Sequence, residues 1–221
     1  MIVLIGESGC GKTTLCNELI SQHGFCKAVS CTTRKPRVGE EEGKDYFFLT
    51  KEEFKQKIKL KEKIPTHLHG FLEYAEYNGN YYGLTRAQAR KKNCIAIVEP
   101  EGLKQIKQTL SALKKSDAIP LVVFYLYASP KIREERLKHR GDTSEEIKKR
   151  LDIDKEKFKD IEWEADYCIC VNDLTPEEVT KKFMEIVDIF ELSFKEEEDI
   201  EEEEKIETKE KSKRGRPRKE K

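Results

Sequence analysis

Short, continuously apolar runs recur along the first 190 residues, and most are followed by a segment with helical spacing. Ile2–Ile5, Cys94–Val98, Leu121–Tyr127 and Tyr167–Val171 read as buried strands, too short and too evenly apolar for surface helices. Lys12 to about Gln22 carries Leu15, Leu19 and Ile20 on one face, and Leu103–Leu113 does the same with Ile106 and Leu110. Pro130 opens a further helix, and Ser144 caps another that reaches roughly Ile161. Pro176–Phe190 places Val179, Phe183, Ile186, Val187 and Phe190 together. This alternation predicts an α/β domain with a mostly parallel sheet. Residues 31–85 break the rhythm. Residues 31–46 read as a polar functional loop, and Lys27–Ser30 and Tyr46–Leu49 as short strands. Lys51–Lys59 is a short helix, and Phe71–Tyr82 folds back at Asn78-Gly79. This block is expected to form a small separate lobe.

Composition narrows the class. The 221 residues include 43 basic and 43 acidic side chains, so the formal net charge is zero and points to neither nucleic acid nor membrane. Seven cysteines without a regular framework fit a reducing compartment. The first strand begins at Ile2, so no leader is expected, and the longest apolar run is too short to span a bilayer. A soluble, cytoplasmic protein is expected. After Phe194 the pattern stops. Residues 195–210 hold ten acidic residues and residues 211–221 seven basic ones, so 195–221 is expected to be a disordered acidic-then-basic tail.

The most specific motif follows the first strand. Gly6-Glu7-Ser8-Gly9-Cys10-Gly11-Lys12-Thr13 matches G-x-x-x-x-G-K-[ST] in full, with a strand before and a helix after. Glycines let backbone N–H groups wrap a phosphate, and the helix directs its positive end at the same anion. Lys12 is expected to reach the β- and γ-phosphates of ATP, and the Thr13 hydroxyl to hold Mg²⁺. Gly6 to Thr13, with Thr14, make up the expected ATP-binding segment. A chance Gly-rich turn is the competing reading.

A second cluster, Ser30-Cys31-Thr32-Thr33-Arg34-Lys35-Pro36-Arg37, continues to Gly39-Glu40 and Gly43-Lys44-Asp45-Tyr46. Two arginines three apart can fork onto one phosphate, although alone the segment also reads as a solvated basic loop. Together with the phosphate loop, this order of motifs resembles the guanylate kinase family. The resemblance continues at Phe71-Leu72-Glu73-Tyr74-Ala75-Glu76, Gly79-Asn80-Tyr81-Tyr82-Gly83 and Arg136-Leu137-Lys138-His139-Arg140-Gly141. It resumes at Ser144-Glu145-Glu146 with Arg150, and at Val171-Asn172-Asp173, and so covers about residues 1–190.

That resemblance implies a P-loop kinase fold: a parallel five-stranded sheet with helices on both faces, a small NMP-binding lobe at about 31–85 and a helical lid at about 131–150. It implies a guanylate kinase domain over 1–194 that transfers a phosphoryl group from ATP, with Mg²⁺, to GMP or dGMP. Carried over by position, Ser30, Arg34, Arg37, Tyr46 and Tyr82 hold the GMP phosphate, and Glu73 accepts bonds from guanine N1–H and the 2-amino group. Arg136, Arg140 and Arg150 match the lid arginines that, with Lys12, stabilise the transferring group, and Asn172 lies near the donor adenine. Arg133 adds a further arginine to the same stretch. Two departures stand out. Leu84 occupies a position where the family has Ser or Thr, leaving Thr85 as a substitute, and Ile97-Val98-Glu99 replaces Asp-Ile-Asp. Glu99 is then the surviving acid, although Glu99 and Glu101 also read as ordinary surface carboxylates. Two rivals stay open: a broader (deoxy)nucleoside monophosphate kinase, and a non-catalytic guanylate-kinase-like interaction module.

The tail segment Lys213-Arg214-Gly215-Arg216-Pro217-Arg218-Lys219 looks like an AT-hook, which implies weak contact with the minor groove of A·T-rich DNA through Arg214-Gly215-Arg216-Pro217. A solubilising tail or a localisation patch is the plainer alternative.

Overall fold

The computed structural model describes residues 1–37, 39–63, 70–77, 79–114 and 118–189. Five strands, β1 (Ile2–Ile5), β2 (Cys26–Lys27), β7 (Cys94–Ile97), β8 (Val122–Tyr127) and β9 (Tyr167–Cys170), form one sheet in the order β2-β7-β1-β8-β9. Every pairing in it is parallel. The expected α/β fold with a parallel five-stranded sheet and flanking helices is present. Four more strands, β3 (Cys31–Thr32), β4 (Phe47–Phe48), β5 (Phe71–Tyr77) and β6 (Asn80–Thr85), form a second sheet in the order β4-β3-β6-β5. The helices are α1 (Lys12–Gln22), α2 (Lys51–Lys63), α3 (Arg86–Ala89), α4 (Pro100–Ser111), α5 (Pro130–Arg140) and α6 (Ser144–Lys157). A seventh, α7, begins at residue 176 and is described to residue 189.

The chain divides into two compact units, Met1–Val179 and Thr180–Lys221. In the first, the main core joins the two sheets. Val3, Ile5, Ala96 and Val123 of the parallel sheet share one buried cluster with Leu72 and Leu84 of the second sheet and Leu103 and Ile106 of α4. Helix α4 also grips β5 through hydrogen bonds, from Thr109 Oγ1 to the Leu72 carbonyl (2.8 Å) and from the Tyr74 N–H to Gln105 Oε1 (3.1 Å). A smaller cluster sits under the second sheet, where Phe54 of α2 stacks on Phe71 at 4.3 Å and on Tyr81 at 5.4 Å. Full burial of a ring such as Phe54 contributes about 1.5–3 kcal/mol. In the second unit, residues 180–189 are helical, with Thr180, Phe183 and Val187 buried and Ile189 exposed.

Several boundaries differ from the sequence reading, each for a local reason. The strand expected at Lys27–Ser30 is Cys26–Lys27. Ala28 still donates to the Ile95 carbonyl (2.7 Å), but the Ser30 carbonyl already accepts from Phe47 N–H (2.9 Å), so the chain has crossed to the second sheet. The expected loop 31–46 therefore opens with a strand residue pair, Cys31–Thr32, held between β4 and β6. Thr143, not Ser144, caps α6. It forms a capping box with Glu146, in which each side chain bonds the other's backbone N–H. Helix α6 stops at Lys157, and Asp160, at φ 60°, redirects the chain into a short 3₁₀ turn at Ile161–Glu164. Among the described residues, no helix is long and apolar enough to cross a membrane. Phe190 and the tail, including the AT-hook-like segment, lie outside the described residues.

Candidate active site

The phosphate loop follows β1 and ends at α1. Gly6 is required by contact, because a Cβ there would fall 2.2 Å from the Leu126 carbonyl oxygen of β8. Gly11 caps α1 at φ 84°, a left-handed backbone that glycine adopts without a steric cost. The amides of the first turn of α1 thus open onto the loop. The Lys12 ammonium lies inside the loop, donating to the carbonyls of Gly6 (2.5 Å) and Glu7 (3.0 Å), and burial lowers its pKa from the usual lysine value. The Glu7 carboxylate turns to β8 and accepts from the Tyr125 hydroxyl (3.1 Å) and the Cys10 thiol (3.6 Å). Burial first, then the nearby Glu7 charge, pushes the Cys10 thiol up to about 12, so it is a packing group and not a nucleophile.

Two openings flank α1. An apolar slot of about 170 Å³ is lined by Cys10, Gly11, Thr14, Arg136, Val171 and Val179, among others. Arg136 spans its edge, donating to the Val171 carbonyl (2.7 Å) and, more weakly, to the Gly9 carbonyl (3.5 Å). Next to Val171, Asn172 accepts from Ser129 N–H (2.7 Å) and so braces the turn from β8 into α5.

The second opening, of about 260 Å³, is lined by Thr13 and Asn17 of α1, by Ser30, Tyr46 and Leu84 from the second sheet and its loops, and by Ile97 and Val98 at the end of β7. Here the structure brings together residues expected to serve donor and acceptor. Near it, Arg34 bonds Glu40 (2.7 Å) while the same carboxylate accepts from Arg37 N–H (2.7 Å). The bond from Arg34, then that from the Arg37 backbone, holds the Glu40 carboxyl below the usual range. The Arg34 guanidinium lies 5.6 Å over the Tyr46 ring, and Tyr82 meets Tyr46 edge-on at 6.1 Å. Arg37 itself has an exposed side chain.

Glu73 lies behind Leu84. The β5–β6 register slips by one residue between Phe71 and Glu73, and the Leu84 N–H at this irregularity donates to Glu73 Oε1 (3.0 Å). Burial raises the Glu73 carboxyl to about 7, against the opposing pull of the Leu84 bond. Gly102 of α4 faces the other oxygen, since a Cβ there would stand 3.7 Å from Oε2. Thr85 caps α3, accepting from Gln88 N–H (3.4 Å). Glu99 caps the backbone of α4, and its largely exposed carboxylate lies 3.7 Å from Lys157 and contributes to the field at Lys12.

Besides Arg136, the arginines of α5 and α6 divide into two groups. Arg140 and Arg150 are about half exposed and share one carboxylate, Asp142, with Arg150 Nε at 3.4 Å. Arg133 is buried instead, paired with buried Asp154 at 3.2 Å. Three side-chain contacts at this site were not disclosed by the sequence. Glu40 stood within the Gly-Glu of the motif but was given no role. Glu7 was counted only as a loop position, and its bond to Tyr125 depends on β8 lying beside β1. Asp154 continues the inward stripe of Ile147 and Phe158, and a carboxylate on an apolar stripe was the available signal. No group of three or more His, Cys, Asp or Glu side chains capable of holding a metal ion exists among the described residues.

A family model for guanylate kinase matches residues 1–189. The chain belongs to the guanylate kinase family. It is 37% identical over 182 residues to the guanylate kinase of Clostridium acetobutylicum, covering 82% of this chain and 81% of that one. It is 38% identical over 158 residues to the guanylate kinase of Sus scrofa, covering 68% and 72%. A crystal structure of guanylate kinase from Anaplasma phagocytophilum superposes with a TM-score of 0.55 at 24% identity, covering 86% of this chain and 84% of that one, a likeness of fold. Membership in this kinase family accounts for the phosphate loop and makes the chain a nucleotide-binding protein.

Proposed function

We propose that the chain is a cytoplasmic guanylate kinase that transfers the γ-phosphoryl group of ATP to GMP or dGMP, giving ADP and GDP or dGDP. The observation that supports it most is the shared cleft, lined by Thr13 beside the phosphate loop and by Ser30 and Tyr46 on the acceptor side. In this reading residues 31–85 form the acceptor lobe and 131–150 the lid. Loop amides and Lys12 hold the β- and γ-phosphates, and the slot beside Arg136, Val171 and Asn172 takes the adenine. Ser30, Arg34, Arg37, Tyr46 and Tyr82 hold the GMP phosphate, with Thr85 and Glu99 at the margin of the acceptor site. Glu40, which now bridges Arg34 and the Arg37 backbone, keeps both oriented for an anion.

The chemistry follows from charge. An oxygen of the GMP phosphate bonds to the γ-phosphorus as the bond to the β,γ-bridging oxygen breaks, and the leaving electrons end on ADP. Little proton transfer is needed, so catalysis is positioning and electrostatic stabilisation. In this reading Lys12 and Arg136 act on the transferring group from beside the loop. Arg140 and Arg150 exchange Asp142 for phosphoryl oxygens as the lid closes and water is excluded. The chain offers Mg²⁺ one hydroxyl, Thr13 Oγ1, and this suits a hard cation that arrives with ATP and keeps phosphate and water ligands. When bound, Mg²⁺ supplies charge neutralisation on the phosphate oxygens.

Glu73 supports guanine selection. In this reading guanine N1–H and the 2-amino group meet Oε2, which faces Gly102, and the remaining lone pair of Oε1, which already accepts from Leu84 N–H. Adenine would leave that acceptor facing another acceptor. A broader acceptor range is the second reading. It is favoured by Ile97, whose exposed aliphatic side chain lines the cleft where a polar contact to the base would otherwise be available. Turnover of GMP, dGMP, AMP, dTMP and dCMP under matched conditions separates the two. Preference for GMP and dGMP supports the first; equal rates with dTMP or dCMP support the second. No ADP release with any acceptor supports the non-catalytic module. The Arg214-Gly215-Arg216-Pro217 segment supports an added, weak contact with A·T-rich DNA. Equal gel-shift behaviour of the full chain and residues 1–194 would remove it.

A further inference from the structure

Within the phosphate loop, one amide is taken by a side chain of α6. Ser8 N–H donates to Asp154 Oδ2 at 2.8 Å, and the same oxygen receives Arg133 Nη1 at 3.2 Å. Asp154 belongs to α6 and Arg133 to α5, and both side chains are almost fully buried. The backbone of α5 also abuts the loop, since a Cβ on Gly9 would stand 3.0 Å from the Arg133 carbonyl oxygen. Arg136 completes the enclosure from the Gly9 carbonyl. A buried ion pair is costly to desolvate, and well-packed apolar side chains of like size often stabilise a fold as well or better. What an apolar pair cannot provide is an acceptor for Ser8 N–H. Arg150 lies one helical turn before Asp154 on the same helix.

We propose that Asp154, neutralised by Arg133, is a positioning residue for the donor nucleotide: its carboxylate fixes the Ser8–Gly9 turn of the phosphate loop against α6. The turn sets the direction of the amides that follow it, from Gly9 to Lys12. The bond also ties the part of α6 that follows Arg150 to the loop. This inference rests on the reading of the loop as the ATP site, but not on turnover.

The test compares two double variants. Arg133→Met with Asp154→Leu removes both charges and the acceptor. Arg133→Met with Asp154→Asn removes both charges but keeps a carbonyl acceptor for Ser8 N–H. Calorimetric titration with Mg·ADP reads the donor site without requiring turnover, and circular dichroism reads folding. The leucine pair is expected to melt within a few degrees of the wild type and to bind ADP about tenfold more weakly. The asparagine pair is expected to recover to within about threefold, as one neutral hydrogen bond replaces a charged one. In kinetic assays KM for ATP follows the same order while KM for GMP stays within about twofold. The single variants Asp154→Ala and Asp154→Asn repeat the comparison if the leucine pair does not fold. Wild-type ADP affinity without the acceptor, or equal loss with and without it, overturns the inference. A wild-type protein that does not bind Mg·ADP overturns both this inference and the donor-site reading. Normal ADP binding without GDP formation refutes the proposed reaction only.

Discussion

Replacing Glu73 by Gln tests the acceptor site through stability as well as through binding. The folded protein raises the Glu73 carboxyl from 4.5 to about 7, chiefly by burial. Between those two values the unfolded chain is ionised at this position and the folded chain is not. The folded state therefore binds more protons, and stability falls as pH rises from about 4.5 to 7, then levels off. A difference of about 2.5 units corresponds to about 3 kcal/mol, and partial solvent access brings it nearer to about 2 kcal/mol. Gln at this position keeps an acceptor for Leu84 N–H and carries no charge to desolvate. Glu73→Gln is expected to melt higher than the wild type at pH 8, by roughly 4–8 °C, and to show no gain near pH 4.5. Thermal unfolding followed by circular dichroism across pH 4.5–8.5 measures this directly. The same variant should lose preference for GMP, as expected where a binding residue is held at a cost to the fold. Equal melting at pH 8, or a gain of the same size at both pH values, would mean that Glu73 is not a desolvated carboxylate.

Other outcomes follow from the same geometry. KM for GMP in the wild type is expected to rise about tenfold per pH unit below 7 and to flatten above it, while in Glu73→Gln this component is absent; steady-state kinetics at fixed ATP decides it. Lys12→Ala is expected to lower kcat by roughly a hundredfold or more with the melting temperature nearly unchanged, because the ammonium serves the loop and not the core. Glu40→Gln weakens the hold on Arg34 and on the Arg37 amide, and should raise KM for GMP several-fold without altering KM for ATP. Gly6→Ala, with a Cβ at 2.2 Å from a main-chain oxygen of β8, should reduce the yield of folded protein, as read by soluble expression and melting.

How much the sequence disclosed depended on range. The parallel sheet was legible because β1, β7, β8 and β9 are continuous apolar runs, and α1 because its inward residues repeat at helical spacing. The phosphate loop was legible because its glycines and lysine lie within eight consecutive residues. A two-residue strand such as β3 carries no period, so Cys31–Thr32 merged with the loop around it, whereas β4 fell within the expected strand Tyr46–Leu49. The cap of α6 was misplaced by one residue because Thr143 and Ser144 are both good caps, and only the bond to Glu146 distinguishes them. Asp154 shows why the rest was hidden. Its partners, Ser8 and Arg133, lie 146 and 21 residues away, and their meeting depends on how α5 and α6 pack beside the loop. Glu73 could be named, but its raised pKa could not, since that comes from α4 closing over β5.

If one cleft joins an ATP grip to a GMP grip, phosphorus NMR of the full chain with ATP, Mg²⁺ and GMP will show ADP and GDP appearing in equal amounts, at a rate that falls when AMP replaces GMP. ADP forming without GDP, or no ADP at all from a protein that still binds Mg·ADP, would contradict it.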